Sequence, residues 1–296
     1  MRIVLIKSLI RLVSLLPLSV AQSLGNWLGH CFYLFPTKLR RTTEINIHLC
    51  LPELDSKEKK QLIKESLSQT GIAIMEIGAM LCRPTPKLLT RIQSISGKEH
   101  LDKSLEAGKG VILLTPHLGC WEIAGLYVGQ HYQATTLYKP PKIEALASWL
   151  KHARQRSGAT LVSTKDSGPR QLLKKLSKDR GVIALLPDQE PPAGAGVFSP
   201  FFGIDAYTMT LATKLSKKTG AKIIFGFAER LDKGRGYRLH AIPAEKDIYD
   251  DDLSLAITSM NKTIEQCIRQ VPHQYQWSYK RFRKRPEGSN NPYTKI

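Results

Sequence analysis

Three observations predict an α/β fold with a mixed, largely parallel central sheet flanked by helices. Short runs rich in Val, Ile and Leu alternate with segments of helical spacing through most of the chain. Two of these runs, residues 110–114 and 181–186, have the unbroken apolar character of strands buried on both faces. Reactive side chains, His117 and Asp188, follow directly on those two strand ends, where open sheets gather their sites.

Residues 1–21 are apolar but interrupted by Arg2, Lys7 and Arg11, and the unbroken run 12–21 is too short to cross a bilayer. Lys7 and Arg11 are four apart and share a helical face. The pattern predicts a helix lying in the membrane plane, with its basic residues at headgroup level. A spanning helix and a secretory leader are the alternatives, the latter because Ser19-Val20-Ala21 imitates a cleavage site. The expected organisation is an N-terminal membrane anchor, residues 1–24, and a single α/β domain, residues 25–296.

Residues 24–34 continue apolar and aromatic. Asn46 and His48 read as structural. Ser56 caps a helix over 57–82, where Leu62, Ile63, Leu67, Ile72, Ile74 and Met75 recur at helical spacing until Pro84 and Pro86 end it. A strand at 92–96 and a helix at 98–107 lead into the strand 110–114, which stops at Pro116 for want of an N–H to donate. A helix follows at 123–128. The alternation continues with strand 134–138, helix 143–156, strand 160–162, helix 169–177 with proline at its start, and strand 181–186. Residues 190–203 read as a loop bearing Phe198, Phe201 and Phe202. Next come a helix at 208–218 closed by Gly220, strands at 222–228 and 237–242 joined across 232–234, and a last helix at 253–271.

Composition narrows the function. The 296 residues carry 44 Lys and Arg against 25 Asp and Glu, a formal net charge of +19. Such an excess suits nucleic acid, an anionic membrane surface or an acidic protein. No zinc-finger spacing, aromatic RNA-binding motif or basic heptad region accompanies it, so nucleic acid is set aside. The five cysteines (Cys31, Cys50, Cys82, Cys120 and Cys267) are odd in number and form no CxxC pair. That argues against a disulfide framework and a Cys-based zinc site, and it speaks against export.

The chemistry concentrates in His117-Leu118-Gly119-Cys120-Trp121-Glu122. A histidine oriented by a carboxylate is a general base near neutral pH, able to deprotonate a hydroxyl that attacks an activated acyl group. Five residues correspond to about 140° on a helix, so His117 and Glu122 can meet only if His117 precedes the helix and Glu122 lies in its first turn. A structural histidine near a helix start is the plain alternative. Cys120 is a candidate nucleophile or, more simply, a small apolar helix residue. No further His or Cys gives His117 and Glu122 a metal-ligand spacing. Asp188 is a strand-end turn residue or orients a polar substrate group. Arg154 and Arg156 are solvated helix-end charges or phosphate contacts. Phe198, Phe201 and Phe202 are core, or else line an apolar channel for a long chain.

Several stretches together resemble the bacterial lipid A late acyltransferases, the lauroyl/myristoyl type. The segment from His117 to Glu122 looks like that family's HX4(D/E) motif. Tyr138-Lys139-Pro140, Pro187-Asp188-Gln189, residues 198–203 (FSPFFG) with Ala206 and Thr208, and the ending 272–283 (PHQYQWSYKRFR) match in order and spacing across nearly the whole chain. The resemblance implies an enzyme of the bacterial inner membrane whose site faces the cytoplasm. It would use no cofactor or metal, and would move a fatty acyl chain from acyl carrier protein, rather than coenzyme A, to a hydroxyl of an anionic lipid A precursor. By motif position it implies His117 as base and Glu122 as its orienting partner, with Arg156 (or Arg154) and Asp188 as the family's functional arginine and aspartate. Tyr138, Lys139, Phe201 and Phe202 are further substrate-contact candidates. Ser278-Tyr279-Lys280 and Gln189-Glu190-Pro191-Pro192 depart from the usual pattern and leave acceptor and chain length open. A glycerophospholipid acyltransferase and a non-catalytic anionic-lipid-binding membrane protein are the alternatives.

Overall fold

The computed structural model describes residues 2–141, 143–164 and 167–294. Its first third is helical: α1 (Arg2–Leu15), α2 (Leu18–Leu34), α3 (Lys38–Cys50), α4 (Ser56–Cys82) and the short α5 (Thr85–Leu89). Alternation follows: β1 (Ile92–Ser96), α6 (Lys98–Glu106), β2 (Val111–Leu114), α7 (Trp121–Tyr132), β3 (Thr135–Tyr138), α8 (Glu144–Gln155), β4 (Thr160–Ser163), α9 (Gly168–Ser177) and β5 (Val182–Leu185). A hairpin, β6 (Gly196–Phe201) and β7 (Ile204–Met209), precedes α10 (Leu211–Thr219), β8 (Lys222–Leu231), β9 (Gly236–Pro243) and α11 (Leu253–Gln270).

The sheet runs in the order β1-β9-β8-β2-β5-β3-β4. From β8 to β4 every pairing is parallel; β9 pairs antiparallel with β8 and carries β1 parallel to itself. This is the mixed, largely parallel sheet that the alternation of runs predicts. β2 and β5 sit adjacent at its centre and are buried at every residue, which explains their unbroken apolar sequences. Side chains alternate between two cores. Ile112, Leu114, Ile183, Leu185 and Phe225 face one core with α9, α10, α11 and the hairpin. Val111, Leu113, Val182, Ala184 and Ile224 face the other, with α6 and α7.

Several local readings shift. Asp55, not Ser56, caps α4: its carboxylate accepts from Lys57 N and Glu58 N, and Glu58 closes the box on Asp55 N. The supposed loop 190–203 supplies β6, and Thr208 and Met209 complete β7 rather than start a helix, because residues 196–201 pair in register with 204–209. The hairpin's one proline, Pro200, lies in a two-stranded ribbon in which both strands are edges. Residues 38–50 form a helix started by the Thr37 side chain, with Asn46 on its buried face.

The N-terminal helices join the fold through close backbone contact. Added β-carbons at Gly25 and Gly29 of α2 would lie 2.5 Å from Ile72 Cα and 2.3 Å from Ser68 Cα of α4, and one at Gly71 would lie 2.1 Å from Gly25 O. α1 crosses α4 at Gly78 in the same way, 2.7 Å from Ile10 O. Glycine on both surfaces is what lets two helix backbones touch. The buried Glu76 of α4 secures the junction: it accepts from Gln22 Nε2 (2.7 Å), Tyr237 OH (2.9 Å) and Arg230 Nε (2.6 Å). Residue 24, the expected end of an anchor, therefore lies inside α2. Among the described residues no helix is long and apolar enough to cross a membrane.

Gly71→Ala should lower stability by about 1–3 kcal/mol through forced separation of α2 and α4. Thermal unfolding checks this, with exposed Ser23→Ala as the unchanged control; an unshifted Gly71 variant would show that the helices do not close-pack.

Candidate active site

β2 and β5 pair in register, Leu114 opposite Leu185, and each is followed three residues later by a polar side chain. Equal offsets from adjacent strand ends bring His117 and Asp188 together. Asp188 is buried and grips His117 twice: Oδ2 accepts from the backbone N–H (2.9 Å) and Oδ1 lies 2.9 Å from ring Nδ1. A carboxylate at Nδ1 places the ring proton there and leaves Nε2 as acceptor. Nε2 lies 3.1 Å from Gln189 Nε2, whose amide also donates to Gln276 Oε1 at 3.2 Å. Trp121 meets the imidazole edge-on, with ring centroids 5.1 Å apart. Burial alone would raise the Asp188 pKa; the electrostatic attraction of His117 and the hydrogen bonds from it outweigh burial and hold the carboxyl below its ordinary value.

The turn that presents His117 is pinned on both sides. Gly119 N donates to Gln274 O (3.1 Å) and Cys120 N to Ala228 O (2.8 Å), while His117 O accepts from Gln276 N (3.0 Å). Gly119 has φ +64°, and an added β-carbon would lie 1.9 Å from Ala228 O, so both conformation and space demand glycine there. The ending 272–283 is thus a clamp on the His117 turn. Leu118 bridges Tyr275, Trp277 is fully buried, and Asn46 Nδ2 donates to the carbonyls of Trp277 (2.6 Å) and Tyr279 (2.7 Å). Buried Arg281 donates to Tyr207 O and Thr208 Oγ1.

Glu122 stands in the first turn of α7 and His117 outside it, the placement in which the two could have met. The two do not pair. Glu122 instead accepts two bonds from Arg154 of α8, from Nε (3.0 Å) and from the terminal nitrogen (2.5 Å), while the Nδ1 it was expected to orient is taken by Asp188. The two arginines also trade expected places. Arg156 turns away from the cavity and donates to the carbonyls of Ala153, Met80 and Arg83, closing the end of α4. Burial would lower the Arg154 pKa, but Glu122 beside it raises it.

His117, Glu122, Arg154, Gln189, Tyr138 and Lys139 line one cavity of about 850 Å³. Its deeper walls are apolar: Leu113, Gly125, Val128, Leu161 and Ala184. The aromatic loop is not among them. Phe201 is buried against Phe282 and Tyr275, and Phe202 packs on Trp277, because the hairpin lies on the opposite core. Cys120 is buried with its thiol pKa pushed up by desolvation, which removes it as a ready thiolate. The backbone N–H groups around Gly119, candidates for holding an oxyanion, are already spent on Gln274, Ala228 and Asp188. Gln189 and Gln276 went unassigned at the level of sequence. The shared three-residue offset after two buried strands was the available signal for pairing His117 with Asp188.

The depressed Asp188 pKa has a defined consequence. Its stabilisation is complete above the ordinary carboxyl value of 3.8 and is lost as pH falls through the lower folded value. The Tm difference between wild type and Asp188→Asn should therefore hold from pH 7 to about pH 5 and shrink only below about pH 4; a difference already gone at pH 5 would contradict the pairing.

A family model described as bacterial lipid A biosynthesis acyltransferase matches residues 2–284. The chain is 29% identical over 286 residues to the lipid A biosynthesis lauroyltransferase of Escherichia coli K12, covering 95% of this chain and 91% of that protein. It is 28% identical over 280 residues to the lipid A biosynthesis palmitoleoyltransferase of the same organism, covering 94% and 90%. Similarity extends to the phosphatidylinositol mannoside acyltransferase of Mycobacterium tuberculosis, 28% over 183 residues, covering 61% and 56%.

Proposed function

Since this chain belongs to the bacterial lipid A biosynthesis acyltransferases and is an acyltransferase, we propose that it moves a fatty acyl group from an acyl carrier protein thioester to a hydroxyl of a lipid A precursor, with His117 as general base. The observation that supports this reading is the His117–Asp188 pair, whose histidine lines a mostly apolar cavity of about 850 Å³. With Nδ1–H committed to Asp188, Nε2 accepts the proton of the lipid hydroxyl as its oxygen attacks the thioester carbonyl. Asp188 stabilises the imidazolium that forms. Collapse of the tetrahedral intermediate breaks the C–S bond, and the imidazolium returns its proton to the departing thiolate. The Gln189 amide and the Arg154 guanidinium, held by Glu122, line the same cavity and supply donors to the developing oxyanion.

We further propose that it works at the bacterial inner membrane with the site toward the cytoplasm; the surface bears on the membrane setting alone. Leu5, Leu9 and Leu12 recur at helical spacing on α1 and are exposed, as are Leu15 and, on α2, Trp27. Apolar stripes facing out, within a chain of net charge +19, suit helices that lie in an anionic lipid interface. The same charge favours an acidic carrier protein and a phosphorylated acceptor, with binding that weakens as salt rises.

His117→Ala should lower transfer by about 10²–10⁴-fold while thermal unfolding stays near wild type; Cys120→Ser should keep most activity. Full activity in the His117 variant would sink the assignment. The two arginines should separate: Arg154→Ala loses at least about tenfold in kcat/KM, whereas Arg156→Ala lowers Tm but leaves transfer by the folded enzyme largely intact. Assays offering a lipid A precursor and a lysophospholipid side by side decide the acceptor, and transfer to the glycerol hydroxyl alone would favour the phospholipid reading.

A further inference from the structure

Glycine inside a helix costs conformational entropy and usually has a packing reason. In α2 and α4 the reason is backbone contact at Gly25, Gly29, Gly71 and Gly78. In α7, Gly129 has one as well: an added β-carbon would lie 2.2 Å from Ser157 Oγ and 3.0 Å from the Ala159 side chain. Gly125, one turn earlier, has none. Its φ is not positive, it sits mid-helix, and an added β-carbon would meet no atom within 4 Å.

The open space beside Gly125 is the cavity under His117. Trp121, Gly125 and Val128 follow at i, i+4 and i+7, so they form one stripe descending from the catalytic end of α7 along the cavity wall. Seven residues at the helical rise make that stripe about 10 Å long. The facing wall is a single row of the sheet: Leu113, Ala184, Thr136 and Leu161 are register partners across β2, β5, β3 and β4. Its middle members, Ala184 and Thr136, are the small ones, and they continue the gap left by the missing Gly125 side chain. At the lower end, Val128, Ala159 and Leu161 close the space, where Gly129 packs on Ser157.

We infer that Gly125 is the specificity-determining residue for the acyl group: its absent side chain is the passage through which the fatty acyl chain descends from His117, and the bulk at this position sets the longest chain accepted. The inference rests on the acyl-transfer reading of the site, but chain binding can be measured without turnover.

The test is a series, Gly125→Ala, Gly125→Val and Gly125→Leu, in the full-length protein. Because the β-carbon enters empty space and glycine is the poorer helix former, Gly125→Ala should fold at least as well as wild type, with Tm unchanged or raised by roughly 1–3 °C. Binding of saturated fatty acids from octanoate to palmitate is followed by thermal shift and calorimetry. Acyl carrier protein thioesters of the same lengths are followed by turnover. In the leucine variant, the longest chains bound by wild type should weaken about tenfold or more, the worth of roughly two buried methylenes. Short chains should keep their affinity and kcat/KM within about threefold, with alanine and valine intermediate. A uniform loss across all lengths in folded variants, or an unchanged length profile, overturns the inference. Failure of wild type to transfer from any thioester would refute the acyl-transfer reading instead, and the binding profile would still decide the role of Gly125.

Discussion

One buried carboxylate holds both the backbone and the ring of the histidine on which the site is built. Asp188 can do so only because β2 and β5 are adjacent and in register, so that two turns of equal length leave the sheet side by side. The carboxylate gives up solvation to sit there, and the hydrogen bonds from His117 compensate. The rest of the site follows from this placement. With Nδ1 engaged, Nε2 points toward Gln189 and the cavity. With Asp188 on His117, Glu122 is free to hold Arg154 between α7 and α8.

The turn around His117 is supported from three directions, and each support comes from a distant part of the sequence. β8 contributes the Ala228 carbonyl, and the segment after α11 contributes Gln274 and Gln276. α3 contributes Asn46, which ties that segment down at two carbonyls. The terminal cations are therefore chiefly structural. Arg281 is buried on the hairpin, and Lys284 lies 3.5 Å from the centre of the Tyr207 ring.

Much of this architecture was legible in the residues. The central strands declared themselves through unbroken apolar runs, and the helices of the α/β part through 3.6-residue spacing. His117 does precede the helix, but the pairing with Glu122 from which that place was argued does not occur. The partner of His117 was not legible, because sequence proximity favoured Glu122 whereas the real contact depends on which strands are neighbours. Arg154 and Arg156 lie two apart near a helix end, and only the packing of α4 decides which one turns inward. The hairpin was missed because Pro200 and a Phe-rich stretch disguise an edge ribbon as a loop. The wall of the cavity was missed for a related reason: it is made of small residues, Gly125, Ala184 and Thr136, whose significance is the volume they leave empty.

The Glu76 cluster bears on how this protein can be handled. Its carboxylate is shared by α2, β8 and β9, so the outward-facing N-terminal helices are not a detachable leader. Trimming residues 1–34 would strip the glycine-lined flank of α4 and remove one of three donors from a buried acid. Shortening the chain at this end therefore costs the junction that ties α4 to the edge of the sheet.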